Sequence, residues 1–497
     1  MRKRLALVCA LLALTVGTAA AQDARAVLQA ASTAMGAANL KTVQFSGTGW
    51  NAAMGQSFSP AEDWPRFEVT RYTRTIDYDA RSSSEQLTRR QGSYPAQGGG
   101  GTPIQGEQQQ HFVVSGNSAW NMQGTTANPA AAAADVRQLD IIMTPHGFLK
   151  AALAGNPTAV SRTQGNRKTT IVSFTALGKY KVNGTINDQN QVELVQTWIA
   201  NPVLGDTLYE TRYTEYKDFA GVKFPTVLHS HQGDVRLNQG HNVMEIRLTN
   251  VQPNVTVAAL AVPDNVRQAT AAPARVESQK LADGVWFLGG GSHNSLGVEF
   301  RDFVAIVDAP LSEERSVAVM AEMQKLAPGK PIRYVVNTHH HFDHSGGLRT
   351  YVAEGATIIT HQNNRTFYEN VVFHPAPRTL QPDRLSVSPR APVFETLNQK
   401  YVLSDGVRTM DVLALQGLGH SQGMLVAYLP KEKILVNADL YSPPAQGAQP
   451  PAAPTAGSVV LSQNIQRLRL DVAQHVPIHG RVGNNEEFVK IVGAPRN

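Results

Sequence analysis

The sequence predicts an α/β domain in the C-terminal half, preceded by an antiparallel, β-rich (α+β) domain. Three observations predict this. In the C-terminal half, the residues with chemistry stand at the ends of short apolar strands, where open α/β sheets place their sites. The N-terminal half carries many short alternating strands instead. Between them, residues 251–275 are rich in Pro and Ala with little periodicity, as in Ala258-Ala259-Leu260-Ala261-Val262-Pro263, and read as a linker. At 497 residues the chain is too long for one ordinary domain. The reading is a signal segment over 1–21, a β-rich domain over 22–250, the linker, and an α/β domain over 276–497.

Taken in order, Met1-Arg2-Lys3-Arg4 is a basic start, the run from Leu5 to Val16 is apolar, and Ala19-Ala20-Ala21 supplies small residues before a cleavage point. That is the pattern of a secretory signal, with export to a periplasm as the expectation. The apolar run is too short to span a bilayer as a mature helix. Residues 23–36 predict a helix, with Val27, Leu28, Ala31 and Met35 on one face. Strands are predicted over 43–47, 67–72, 74–78, 169–174, 192–198, 207–213 and 222–228, and a helix over 134–154. Residues 98–110 read as a Gly/Gln loop. His229 and His231 alternate on one strand and read as a solvated edge. The phrase Asp218-Phe219-Ala220-Gly221-Val222-Lys223-Phe224-Pro225, with this strand pattern, resembles periplasmic lipoprotein-carrier half-barrels, which implies a curved sheet that wraps a helix and can hold an acyl chain.

The most informative stretch is Thr338-His339-His340-His341-Phe342-Asp343-His344-Ser345-Gly346-Gly347. The run Ile332-Arg333-Tyr334-Val335-Val336-Asn337 before it is a buried strand, so the histidines lie on a turn at its end. His339 and His341 are two apart and point the same way. Asp343 and His344 come round to a second position. Neutral imidazoles suit zinc and a carboxylate suits a harder site, so one turn can start two metal positions. Further ligands stand at later strand ends: His420 in Gly417-Leu418-Gly419-His420-Ser421, Asp439 after Ile434-Leu435-Val436-Asn437-Ala438, and His479 after Val476-Pro477-Ile478.

This ordered series resembles the metallo-β-lactamase superfamily, with a glyoxalase II-like ligand set. The resemblance covers roughly the last 220 residues and implies an αββα sandwich. It assigns His339, His341 and His420 to a first metal, Asp343, His344 and His479 to a second, and Asp439 to both. It further implies two zinc ions roughly 3.5–4 Å apart that activate a shared hydroxide, with Asp343 and Asp439 as the catalytic carboxylates. Substrate contacts are expected from His293 and Asn294 on the loop after Gly289-Gly290-Gly291, and from Tyr441, although the offset of Tyr441 differs from the family's. The Pro/Ala/Gly-rich segment 443–457 is expected to cover the cleft. Every essential ligand is expected after the linker.

The single cysteine, Cys9, lies in the signal segment, so the mature chain has no thiol to bind metal or form a disulfide. Loss of Arg2, Lys3 and Arg4 takes the net charge from +6 to +3, with no basic stripe, which speaks against nucleic acid and leaves a small molecule as partner. The function expected is an exported zinc-dependent hydrolase of an ester, thioester, lactone, lactam or related bond, with other divalent metals as alternatives to zinc. The alternatives are a periplasmic lipid-binding protein with an inactive hydrolase-like domain, or a β-lactamase proper.

Overall fold

The computed structural model describes residues 23–493, apart from 94, 95, 235–239, 272, 375 and 450. The signal segment lies outside the described residues. The first helix, Ala24–Met35, starts where the Asp23 carboxylate accepts the backbone N–H groups of Arg25 and Ala26, and stops at Gly36 in the left-handed region. It buries Leu28, Ala31 and Met35 completely, each large side chain contributing about 1.5–3 kcal/mol.

The N-terminal domain is one thirteen-stranded antiparallel sheet made of two meanders. The first runs from Thr42–Ala52 to Thr126–Pro129 and the second from Thr158–Gln164 to His241–Pro253. They join where Thr42–Ala52 pairs with His241–Pro253. The helices at 24–35, 134–143 and 145–154 pack their apolar faces into one core with Phe45, Phe174 and Phe224 from the sheet.

Several sequence expectations are corrected here. The strands read at 67–72 and 74–78 are one strand, Arg66–Asp77, because Thr73 does not interrupt the alternation. The single helix read at 134–154 is two, because Pro145 cannot continue a helix but can start one, and the Thr144 hydroxyl caps the second. The domain boundary falls later than 250, since Val251 is buried in the last strand opposite Phe45. The linker region is not bare coil: Asp264–Arg267 is a short helix whose Val266 packs on Val113 and Trp120. His229 and His231 lie on Val222–Gln232, a strand paired on both sides, and are half-buried beside Glu245 and Glu210. Residues 107–110, read as loop, begin the strand Glu107–Ser115.

The C-terminal domain is an αββα sandwich. A seven-stranded sheet runs from Glu277–Ala282 to Val393–Leu397 and a six-stranded sheet from Lys400–Ser404 to Gly483–Asn484. One apolar cluster unites side chains of both sheets, among them Val298, Val307, Met410 and Leu425. A second joins the first sheet to outer helices such as Glu313–Leu326. In the first sheet, Val304–Val307, Ile332–Val336 and Thr357–His361 run parallel, so their C-terminal ends open at the same edge.

The two domains are latched together. The Arg378 guanidinium donates to the carbonyls of Asn201, Pro202 and Val203, and Asp206 accepts the N–H groups of Thr379 and Leu380. On another side, residues 53–58 and 98–101 of the N-terminal domain lie against the ligand-bearing turn.

Candidate metal centre

Each predicted ligand leaves a strand end. His339 and His341 follow Ile332–Val336; Asp343 and His344 lie in the short helix Phe342–Ser345. His420 precedes Leu425–Leu429, Asp439 follows Ile434–Asn437, and His479 follows Gln474–Pro477. Asp439 takes a left-handed backbone conformation with φ 58°, unusual for a residue other than glycine and typical of a functional turn.

The seven side chains converge. His339, His341, His420 and Asp439 place one ligand atom each within 4.8 Å of one another, and so do His293, Asp343, His344 and His479. Asp439 joins the two groups. Its Oδ1 lies 2.7 Å from His479 Nε2, and its Oδ2 lies 2.8, 3.1 and 3.3 Å from Nε2 of His420, His344 and His339. Yet His420 Nε2 and Asp439 Oδ1 are buried without a hydrogen bond. Short separations with no aligned N–H between them are what a cluster of metal ligand atoms presents, and buried polar groups otherwise find partners. Two imidazole-rich, thiol-free sets joined by one carboxylate fit a pair of divalent cations.

In His339, His341 and His344 the ring nitrogen that faces away from the cluster is engaged by the protein. His341 donates through Nε2 to the Ser57 carbonyl at 2.9 Å, so its Nδ1 is free and stands 2.9 Å from His339 Nε2. His339 Nδ1 lies 3.1 Å from the Thr338 hydroxyl, which itself donates to Asp308. His344 Nδ1 lies 2.5 Å from Asp308 Oδ2. Such outer partners fix ring orientation and tautomer.

For His344 and His479 burial is outweighed by the facing carboxylates, Asp439 for both and Asp308 for His344, which raise the two imidazoles. His339 and His341 shift the other way. Burial, helped by His344, pushes His339 down to about 4, and burial holds His341 well below the ordinary imidazole range, so both are neutral near pH 7. Burial would raise the Asp439 and Asp343 carboxyls. The neighbouring histidines outweigh it, His344 and His339 for Asp439 and His293 and His344 for Asp343, and keep both ionised.

His293, expected to touch substrate, instead faces the second group: its Nε2 lies 3.1 Å from Asp343 Oδ2 and its ring packs on His479. Asn294, also expected there, is buried and pins the strand end before His479, donating to the carbonyls of Pro477 and Gly480. It is a positioning residue, because its amide is consumed by backbone. Tyr441 borders the cleft, but its ring packs edge-on against His475 and Phe488. His340, which points away from its neighbours as alternation requires, is held between the Ser57 and Ser421 hydroxyls.

Two features were missed. Asp308 ends the buried strand Val304–Val307, the same signal that marked Asp439, and it escaped because no histidine stands beside it. The other is the N-terminal domain itself. The Gln56 amide donates to Asp343 Oδ1 at 2.7 Å, Gly98 N–H donates to the Gly419 carbonyl, and Phe58 accepts from Gln422 N–H. All the candidate ligands do lie after the linker, but the turn 53–58 and the glycine loop 98–101 of the N-terminal domain form part of the site's wall. A cleft of about 1160 Å³ opens beside Asp343, His420, Asp439 and His479. Met54, Leu418, Leu440 and Val460 make it largely apolar, and Pro444, Pro451 and Pro454 of the segment 443–457 border it.

Comparison with known proteins bears on this half of the chain. Residues 288–471 match the model of the metallo-beta-lactamase superfamily. The chain is 26% identical over 158 residues to 2,4-dinitroanisole O-demethylase subunit alpha of Nocardioides sp. (strain JS1661); the match takes in 31% of this chain and 43% of that protein, so the chain spans less than half of that relative. Among solved structures, a metallo-beta-lactamase from Pontibacter korlensis is 17% identical, covering 44% of this chain and 97% of its own, with a TM-score of 0.33. One from Hirschia baltica is 20% identical over 43% of this chain and 94% of its own, with a TM-score of 0.32. With the matched segment and the ordered ligand set converging in one cleft, the C-terminal domain is a domain of the metallo-β-lactamase superfamily.

Proposed function

We propose that this protein is an exported hydrolase that holds two zinc ions and cleaves an ester, thioester, lactone or lactam bond. The observation that carries this reading is the position of Asp439 between two groups of converging histidine nitrogens and carboxylate oxygens. When bound, a pair of divalent cations acidifies water and polarises the scissile carbonyl. The protein's own residues do the rest. Asp439 holds the two groups in register, Asp343 is fixed by Gln56 and His293, and the apolar cleft wall excludes water from the substrate body. Export is supported by the basic, apolar and small-residue pattern of residues 1–21.

The test is a hydrolase panel on purified, zinc-loaded protein. It should contain aryl esters, a thioester, lactones, a β-lactam and an aryl methyl ether, the last because the relative from Nocardioides is named for one. Turnover of at least one acyl substrate, lost on chelation and restored by zinc, is expected. A two-metal protein inert on the whole panel would defeat the reading and leave the binding-protein alternative.

A further inference from the structure

Two adjacent arginines on the strand Ser82–Gln91 have opposite surroundings. Successive residues of a strand point to opposite faces. Arg90 stands opposite Glu68 on one neighbouring strand and Glu107 on the other, and forms an ion pair with Glu68 at 2.8 Å. Arg89 stands opposite Val69 and Gln108, neither of them charged. Its Nε and one terminal nitrogen both donate to Gln108 Oε1, at 3.2 and 3.1 Å, and its guanidinium stacks on Phe67 at 4.4 Å. No carboxylate lies within ion-pairing distance of Arg89 among the described residues.

This cation borders the cleft that contains Asp343, His420, Asp439 and His479. Among the described residues bordering that cleft, it is the one Lys or Arg. A partly buried charge without a counter-ion is costly, and proteins pair such groups or use them to bind. Burial holds the Arg89 guanidinium below its ordinary range, consistent with a charge that lacks compensation. The surroundings also orient it. Phe67 and Gln108 fix the plane of the guanidinium, and its other terminal nitrogen makes no hydrogen bond to a described residue. A planar fork with a free edge suits a carboxylate.

We infer that Arg89 is an anion subsite supplied by the N-terminal domain, and that the substrate is an acyl compound with an apolar body and a carboxylate remote from the bond that is cleaved. The inference deepens the hydrolase reading and rests on it for the word substrate. It gives the N-terminal domain a selective role: that domain would choose which molecule enters, while the C-terminal domain supplies the ligands at the reacting bond.

The test uses the full-length, zinc-loaded protein and two esters of equal chain length, 4-nitrophenyl hexanoate and the mono-4-nitrophenyl ester of adipic acid. The wild type should favour the adipate ester in kcat/KM by tenfold or more, mainly through KM. Arg89→Met should bring that ratio close to one, and Arg89→Lys should keep part of it, with circular dichroism showing both variants folded. Equal ratios in wild type and Arg89→Met would overturn the inference. Calorimetric titration with adipate and with hexanoate separates this outcome from a failure of the hydrolase reading. Adipate binding that weakens tenfold or more in Arg89→Met supports the subsite even if neither ester is turned over, whereas equal binding to both proteins rejects it.

Discussion

Gln56 and Asp343 are 287 positions apart, in different domains, and the Gln56 side-chain amide donates a 2.7 Å hydrogen bond to Asp343 Oδ1. Gln56 is itself held, because its Oε1 accepts from Gly100 N–H at 2.9 Å. Asp343 Oδ2 faces His293 instead, so the two oxygens of this ligand have separate partners.

Gln56→Leu should therefore weaken the metal bound by Asp343, His344 and His479 by about 10–100-fold, the usual effect of losing an outer partner. The metal held by His339, His341 and His420 should keep its affinity. Gly99→Val should instead weaken both metals, because a Cβ there would stand 2.0 Å from Gln56 Oε1 and 2.8 Å from His341 Cε1, a ligand candidate of the first. Stepwise chelator competition on cobalt-loaded protein distinguishes the two metals. An equal loss at both in Gln56→Leu, with a lower melting temperature, would mean that Gln56 only supports the fold.

Asp308 is fully buried and receives His344 Nδ1 and the Thr338 hydroxyl and N–H. Asp308→Ala leaves those donors without an acceptor, which should cost about 1–3 kcal/mol of stability for each unmet group. It should also lower metal affinity and turnover together. Denaturant unfolding alongside zinc titration measures both, and Asp308→Asn, which retains an acceptor oxygen, should lose less of each.

Elemental analysis should find two metals per chain after zinc loading. His339→Ala should remove the first and His479→Ala the second. Asp439→Asn should keep the fold but weaken at least one, since its two oxygens serve different groups. Full zinc and unchanged turnover in Asp439→Asn would reduce Asp439 to a turn residue.

The N-terminal domain offers a pH test away from the metals. His146 is completely buried, stacked on Phe224, and burial pushes it down to about 4. A base whose folded pKa is depressed contributes its full stability above its unfolded value of about 6.5 and loses it as pH falls toward 4. The stability difference between wild type and His146→Gln should shrink by about 1.4 kcal/mol per pH unit across that window. The difference is the quantity to measure, because Asp140, raised by burial to about 6, favours folding at low pH and opposes the trend in wild type alone. A difference independent of pH from 4 to 6.5 would contradict the burial argument.

The sequence by itself set the order of the seven candidate ligands and the apolar run beside each, and through its family resemblance implied the αββα half of the fold. The ligand order was legible because apolar runs beside His or Asp are local patterns, and alternation along a strand fixes which of His339, His340 and His341 point together. The first helix was legible too, since Asp23 and Gly36 mark both ends. What tertiary structure decided were contacts that join distant segments. Nothing in Ala53-Met54-Gly55-Gln56-Ser57-Phe58 signals a metal centre; the Ser57 carbonyl, which leaves His341 Nδ1 bare, is a backbone group that every residue type carries. The glycines at 98–101 read as a loose loop because composition cannot show that a Cβ at Gly99 would strike His341. His293 and Asn294 are neighbours with separate tasks, one aimed at Asp343 and the other spent on backbone carbonyls, and only the packing of the Gly480 turn beside them separates the two. Residue types set what each group can do; the meeting of the two domains set which of them are held ready to do it.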